Sequence, residues 1–155
     1  MKVGSLKKAV QEIVKTSTTL KNKYINNKNT PVNYACVFSQ NEKEFNELIK
    51  TTRKIGNVIE KTPTGLLFQI SPLKTVSGIL RLLKIRIPDT TRPERGDADF
   101  TVPNFTDFKK KYISQDRFKL IKKRQDFEML ELMDSEFDVR AYFSYPPLNK
   151  QLGIK

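Results

Sequence analysis

The sequence predicts an α+β protein with a mainly antiparallel, curved sheet built from two related modules and preceded by an amphipathic helix. Its 155 residues fit one domain with one hydrophobic core. Short apolar segments of strand length recur along the chain between Gly, Pro and Asn residues. Helical periodicity is confined to a few segments, two of which follow a strand and precede further strands.

The first element is a helix at residues 5–24, with Ser5 as a candidate N-cap and apolar side chains at helical spacing. Several lysines lie off the apolar stripe, so the helix could bind an anionic surface, but we expect it to dock on its own domain. A polar stretch ending at Thr30-Pro31 follows. We therefore divide the chain into an N-terminal helix with linker, 1–30, and a single α+β domain, 31–155.

The first module begins with Val32–Phe38, an apolar and β-branched run that predicts a central strand. Ser39 to Glu42 has the spacing of a capping box, which predicts a helix that ends at Gly56-Asn57. A short strand follows at Leu66–Ile70, ended by Ser71-Pro72.

A longer strand, Ile79–Ile87, places Lys84 and Arg86 on the same face. The remaining predicted elements are a strand at 98–102, a helix at 104–113, a hairpin of strands 118–123 and 127–133, a strand at 137–144 and a tail from 148 that packs or frays.

The two strand–helix units form a weak internal repeat. Tyr34-Ala-Cys-Val-Phe-Ser has a counterpart in Ala98-Asp-Phe-Thr-Val-Pro, and Glu44-Phe45 in Asp107-Phe108. The predicted order is βαββ twice, with one more strand at the end.

This order resembles the paired βαβββ modules of the vicinal-oxygen-chelate superfamily, which includes glyoxalases, extradiol dioxygenases and bleomycin-resistance proteins. The resemblance covers residues 31–155 and implies an open barrel around a ligand. Enzymes of that superfamily hold a metal with His and Glu, but this chain has no His and its first strand has no carboxylate. The resemblance therefore implies that a metal-free binding protein is the nearer analogue. A ferredoxin-like βαββαβ sandwich is the alternative fold.

Charge and composition limit the function classes. A formal net charge of +12 attracts polyanions, so nucleic acid, an anionic membrane and phosphorylated small molecules are candidate partners, as is a lysine-rich surface without a function. The absence of histidine excludes Ser-His-Asp and Cys-His sites and most zinc sites. Cys36 lies in an apolar run and predicts a buried, inert thiol. We expect no metal and no cofactor.

The segment from Arg92 to Asp99 is the principal candidate site, and three interpretations stay open. The first is a salt-bridged turn in which Gly96 supplies an unusual backbone angle and an arginine pairs with an aspartate. The second is capture of an anion by four cations. The third uses Asp97 and Asp99 for a divalent ion or for proton transfer. The four cations of the second interpretation are Lys84, Arg86, Arg92 and Arg95.

Two further sets of residues are candidates for a functional role. Glu131 is predicted to point inward on its strand, either paired with Arg140 on the next strand or as a member of a carboxylate site with Asp97 and Asp99. Basic runs at 109–111 and 119–124 lie near Tyr112 and Phe118, a pattern that can track a nucleic-acid backbone and stack bases.

The sequence thus predicts a non-catalytic binding protein for a carboxylate or phosphate ligand. The alternatives are a vicinal-oxygen-chelate-type enzyme that uses carboxylates and a basic adaptor that binds nucleic acid or protein. We expect a cytoplasmic protein because no secretory signal or membrane span is recognisable, and a homodimer is compatible with the sequence.

Overall fold

The computed structural model describes residues 1–27, 29–124 and 126–154, and for 122–124 the backbone alone. Four helices and eight strands form an α+β fold around one curved, open sheet, as predicted. The elements are α1 (Val3–Tyr24), β1 (Val32–Phe38), α2 (Glu42–Thr52), β2 (Gly56–Thr62), β3 (Gly65–Thr75), β4 (Gly78–Arg86), β5 (Gly96–Phe100), α3 (Phe105–Tyr112), β6 (Phe118–Arg124), β7 (Phe127–Leu132), β8 (Val139–Tyr145) and α4 (Leu148–Gln151).

The sheet consists of two βαβββ modules that meet at its centre. The strand order is β2-β3-β4-β1-β5-β8-β7-β6. Within the modules, β1 pairs with β4 and β5 pairs with β8 in parallel, while β1 and β5 pair antiparallel across the seam between the modules. The predicted central position of Val32–Phe38 is confirmed. The ferredoxin-like alternative is wrong because a βαββαβ fold has four strands, whereas the described residues form a sheet of eight strands in two βαβββ modules.

The sequence interpretation omitted β2, and it ended β3 too early. β2 is a polar edge strand whose side chains are mostly exposed, so it has none of the apolar character that marked the other strands. β3 continues through Ser71-Pro72 to Thr75 because a register shift between Gln69 and Leu73 accommodates the proline in its pairing with β4. The first module is therefore βαβββ, like the second.

The helix caps define the internal repeat. The N-cap of α2 is Asn41, not the predicted Ser39, and its side chain accepts a hydrogen bond from Glu44 N. Asn104 caps α3 in the same way and accepts from Asp107 N. The two caps are separated by 104 − 41 = 63 positions.

The same separation relates Tyr34 to Asp97 in the strands, and the proposed match of Tyr34 with Ala98 is wrong by one residue. Tyr34 and Asp97 both line a cavity on one face of the sheet. Ala98 follows Asp97 in β5 and so points to the other face. A shift of one residue exchanges the two faces of a strand.

The main hydrophobic core lies between one face of the sheet and helices α1, α2 and α3. Fully buried rings and aliphatic chains fill it, and each contributes about 1.5–3 kcal/mol of transfer free energy. Phe143 is central, with its ring centroid 4.7 Å from that of Phe108 and 6.0 Å from that of Phe100. Helix α1 docks on its own domain, as expected, and begins at Val3 after Lys2 instead of at a Ser5 cap.

The C-terminal segment packs against the sheet. Leu148, Gln151 and Leu152 line a cavity together with Tyr34 and Lys84, on the sheet face opposite to the three long helices. Within the described residues, no helix is both long enough and apolar enough to span a membrane.

Candidate functional site

A cavity of about 70 Å³ lies on the face of the sheet opposite to α1, α2 and α3, at the seam between the two modules. Strands from both modules and the loop between β4 and β5 contribute to it. Its walls combine cations, one carboxyl group, aromatic rings and small apolar groups. The lining residues are Tyr34, Cys36, Lys84, Arg86, Arg92, Asp97, Ile121, Met129 and Tyr142.

Two cations reach the cavity from β4, as the alternation of that strand predicted. The Nζ of Lys84 donates a hydrogen bond to the Oγ1 of Thr64 over 2.6 Å. Arg86 donates from Nη2 to the Oδ2 of Asp89 over 3.4 Å, whereas its buried Nε has no hydrogen-bond partner among the described residues. A buried donor without a partner is unusual in a folded protein.

The third cation is Arg92, from the loop between β4 and β5. Its Nη1 donates to the hydroxyl oxygen of Tyr142 over 3.2 Å, and its guanidinium carbon lies 5.6 Å from the ring centroid of Phe38. Hydrogen bonding and cation–π contact therefore hold the side chain at the cavity from two sides.

Asp97 is the acidic group of the cavity. It is buried, and its Oδ1 has no hydrogen-bond partner among the described residues. Burial raises the pKa of Asp97 to about 7, although Arg92, Lys84 and Arg86 act to lower it. The carboxyl group therefore titrates near neutral pH, so it can present a donor to the cavity when protonated.

Asp99 lies two residues further along β5, on the same face. Its Oδ2 accepts a hydrogen bond from the Oγ of Ser144, and its Oδ1 has no partner within the described part of the chain. Burial and the nearby Asp97 raise the pKa of Asp99 to about 8, against the opposing effect of Ser144.

A buried polar network supports the cavity on the side of the second module. Tyr142 donates to the Oε2 of Glu131, which also accepts from Arg140 Nη1 over 3.3 Å. Arg140 further donates from Nε to Glu94 over 2.8 Å and from Nη2 to the carbonyl oxygen of Thr91 over 3.3 Å. The predicted pairing of Glu131 with Arg140 is confirmed, and the network ties the β4–β5 loop to β8.

Arg95 does not reach the cavity. Its Nη1 forms an ion pair with Glu44 Oε1 on α2 over 2.8 Å and donates to the carbonyl oxygen of Phe38 over 3.1 Å. The structure thus brings together three of the four predicted anion-binding cations, and the fourth anchors the loop to α2. The interpretation of the loop as a salt-bridged turn is correct in kind, but the acidic partner is Glu44 and not Asp97 or Asp99.

Gly96 is required for a reason other than the predicted one. It does not have a positive φ angle. A Cβ atom at this position would lie 2.2 Å from the carbonyl oxygen of Cys36 and 2.9 Å from Ile13 Cδ1. The glycine therefore allows β5, β1 and helix α1 to approach closely at the seam.

Five of the residues that line the cavity were not predicted as members of the site: Tyr34, Cys36, Ile121, Met129 and Tyr142. Cys36 is buried, and its pKa is raised mainly by burial, which agrees with the expectation of an inert thiol, but its side chain also forms part of the cavity wall. The signal for Tyr142 was present in β8, where Arg140, Tyr142 and Ser144 alternate with apolar residues. That alternation places three polar groups on one face.

The three residues predicted as a possible carboxylate site, Asp97, Asp99 and Glu131, do not gather into one group. Asp97 and Asp99 project from one strand, while Glu131 is bound to Tyr142 and Arg140. Within residues 1–27, 29–124 and 126–154, no three His, Cys, Asp or Glu side chains cluster closely enough to hold a metal ion.

The aromatic residues of the basic runs are part of the core. Tyr112 and Phe118 are each 5% exposed, and their ring centroids are 5.2 Å apart. Lys109 pairs with Glu128 over 3.0 Å. Neither ring is therefore available to stack on a base, and the basic side chains of 122–124 lie outside the described residues.

Comparisons with known proteins support the fold and do not assign a function. No family model matches the chain, and no curated protein matches it. A solved structural-genomics protein designated EC4020 superposes with a TM-score of 0.72 at 8% identity, covering 97% of this chain and 91% of that one. This likeness concerns the fold alone.

Two glyoxalase structures superpose less well. A variant of glyoxalase I from Zea mays has a TM-score of 0.41 and 15% identity, covering 74% of this chain and 43% of the other. A protein assigned to the glyoxalase family, from Bacillus anthracis, has a TM-score of 0.27 and 20% identity, covering 70% and 88%.

Proposed function

We propose that this protein binds a small anionic ligand, a carboxylate or a phosphate, without transforming it. Lys84, Arg86 and Arg92 hold the anion in the seam cavity. Because of the order of its helices and strands, we group the chain with the metal-free binding proteins of the vicinal-oxygen-chelate superfamily.

The observation that carries the proposal is the convergence of three cations on a cavity whose polar atoms are incompletely paired. The Nε of Arg86 is buried without a partner among the described residues, and so is the Oδ1 of Asp97. An anion would accept from Arg86 and Arg92, and a protonated Asp97 would donate to it. Such charge-assisted hydrogen bonds are about twice as strong as neutral ones.

The size of the cavity favours a compact charged group. A volume of about 70 Å³ holds roughly two water molecules, each of which occupies about 30 Å³. A carboxylate or phosphate group is of this order, and a nucleic-acid segment is not.

The test compares two arginines of the same loop. Isothermal titration with sulfate and with acetate should show that Arg92→Gln weakens binding about tenfold or more, since a hydrogen bond to a charged group contributes about 1.5–3 kcal/mol. Arg95→Gln is the matched control, because Arg95 pairs with Glu44 outside the cavity. Equal losses in both variants, or no binding of either anion to the unmodified protein, would refute the proposal.

A second candidate function is proton transfer by Asp97, an activity of the enzyme alternative. The specific observation is a buried carboxyl group whose pKa is raised to about 7 beside three cations that would stabilise an anionic intermediate. In D₂O, the protein should then exchange the α-hydrogens of a bound carboxylate, and Asp97→Asn should abolish the exchange. A rate no higher than that of the solvent would remove this candidate.

A further inference from the structure

The cation-lined cavity has a larger neighbour on the same face of the sheet. This second cavity, which we call the apolar chamber after the five apolar side chains among its ten lining residues, measures about 270 Å³ and is formed by β1, β2, β3, β4, β7 and the C-terminal segment. Its lining residues are Tyr34, Glu60, Thr62, Leu67, Lys84, Phe127, Met129, Leu148, Gln151 and Leu152.

The two cavities are adjacent. Tyr34, Lys84 and Met129 line both of them, so the small charged space and the larger chamber meet at these three side chains. Neither space alone reaches the size of most ligand sites, about 300–1,000 Å³, but the two together do. A ligand that extends from one cavity into the other would place its charge beside Lys84 and its remaining atoms beside Met129.

The chamber is suited to a hydrocarbon group. Leu67, Phe127 and Met129 are buried on the strands, and Leu148 and Leu152 approach from the C-terminal segment. Glu60 is exposed on the edge strand β2, where it stays in contact with solvent. The unbranched side chain of a methionine such as Met129 adapts readily to flexible apolar chains.

We infer that the ligand is an amphiphilic anion: its carboxylate or phosphate occupies the cation-lined cavity, and its alkyl portion occupies the apolar chamber against the C-terminal segment. This inference rests on the proposed function and adds the ligand class. The C-terminal segment, through Leu148 and Leu152, then sets the length of chain that is accepted.

The first experiment measures the affinity of straight-chain carboxylates from acetate to octanoate, below their aggregation concentrations. Affinity should rise by up to about fourfold for each methylene, which corresponds to about 0.8 kcal/mol per buried CH₂, until the chamber is filled. Octanoate should therefore bind at least about 30-fold more tightly than acetate. Octylamine should bind more weakly than octanoate, because its cation meets three cations in the site.

The second experiment fills the chamber. Leu152→Trp should abolish the gain from chain length while leaving acetate affinity within about twofold, since Leu152 does not line the cation cavity. The control is Ile113→Trp, an exposed apolar position after α3 that lines neither cavity, and it should keep the full dependence on length. Thermal denaturation and retained acetate binding show that each variant is folded.

The outcomes separate the two proposals. Equal affinity for acetate and octanoate would overturn the amphiphile inference while leaving anion binding intact. Equal binding of octanoate and octylamine would also overturn it, because the charge would then play no part. Absence of binding by acetate, sulfate and octanoate alike would overturn both.

Discussion

Cys36 and Asp97 lie directly opposite each other where β1 of the first module pairs with β5 of the second. On the outer sides of this pair, Lys84 is in register with Cys36 and Arg140 with Asp97. One row across the four central strands thus places a cation, a thiol, a carboxyl group and a second cation on the same face. The cations offset only part of the effect of burial on Asp97, which explains why its pKa is raised to about 7 and not further.

Anion affinity should depend on the ionisation of Asp97. Below its pKa of about 7 the carboxyl group is neutral and can donate a hydrogen bond, whereas above it the carboxylate repels an anion in the cavity. We expect sulfate affinity to fall by up to about tenfold between pH 6 and pH 8. Sulfate stays fully ionised over this range, so calorimetry reports the titration of the protein. Asp97→Asn should give a flatter profile, with only the smaller effect of Asp99 remaining, and an unchanged slope in that variant would contradict the assignment.

The stability of the fold should decrease as pH rises from 6 to 9. The folded protein keeps protons on Asp97 and Asp99 up to pKa values of about 7 and 8, whereas an unfolded Asp loses its proton near 3.9. The folded state therefore binds more protons than the unfolded state above pH 4, and each further pH unit destabilises it until the folded pKa is passed. We expect a loss of about 2–4 kcal/mol over this range, measured by urea unfolding.

The chain has no histidine, so no imidazole titrates between pH 6 and 9 and contributes to the measured change in unfolding free energy. The variants Asp97→Asn and Asp99→Asn should each reduce the decrease in unfolding free energy. A stability that rises with pH in the unmodified protein would be incompatible with two buried, partly unpaired carboxyl groups.

Loss of Arg140 should destabilise the protein strongly. Arg140→Leu leaves Glu131 and Glu94 without their cation, and Glu131 is only 6% exposed. Breaking a buried ion pair from one side costs about 3–5 kcal/mol. Chemical denaturation should show a loss of this size.

A double-mutant cycle separates the ion pair from the packing of the arginine stem. Adding Glu131→Gln to Arg140→Leu should recover part of the lost stability, because the buried charge is removed as well. Additive losses would indicate that Glu131 and Arg140 are not energetically coupled.

The close approach at the seam should not tolerate a methyl group. Gly96→Ala places a Cβ atom 2.2 Å from the backbone oxygen of Cys36, and backbone cannot move aside as a flexible side chain can. We expect a loss of about 3 kcal/mol or more in unfolding free energy. Gly4→Ala is the control, since that position in α1 has no atom within 4 Å of the new Cβ. It should be neutral or stabilising by up to about 1 kcal/mol.

The parts of the site that depend on local periodicity could be predicted from the sequence. Alternation along β4 placed Lys84 and Arg86 on one face, and alternation along β7 placed Glu131 inward beside Arg140. The sequence could not show that Arg92 reaches the cavity and Arg95 does not, because the direction of each side chain is decided by partners about fifty residues away. Arg92 meets Tyr142 on β8, and Arg95 meets Glu44 on α2.

The same limit explains the errors in the fold. Among the described residues, β2 pairs with β3 alone and exposes most of its side chains, so its sequence carries neither an apolar run nor a clear alternation. The one-residue error in the repeat exchanges the two faces of a strand, and those faces are fixed by the pairing of β1 with β5 across the seam.

Helix α1 connects the two modules of the sheet. It packs on β1 and β3 of one module and on β5 and β8 of the other, and Ser17 donates to the carbonyl oxygen of Arg140 over 3.0 Å. Its apolar side chains belong to the same core as both halves of the sheet. The helix therefore holds the two modules together across the seam, so we expect them to unfold in one cooperative transition. We therefore expect a ligand to enter the cavity at that seam without the two modules hinging apart.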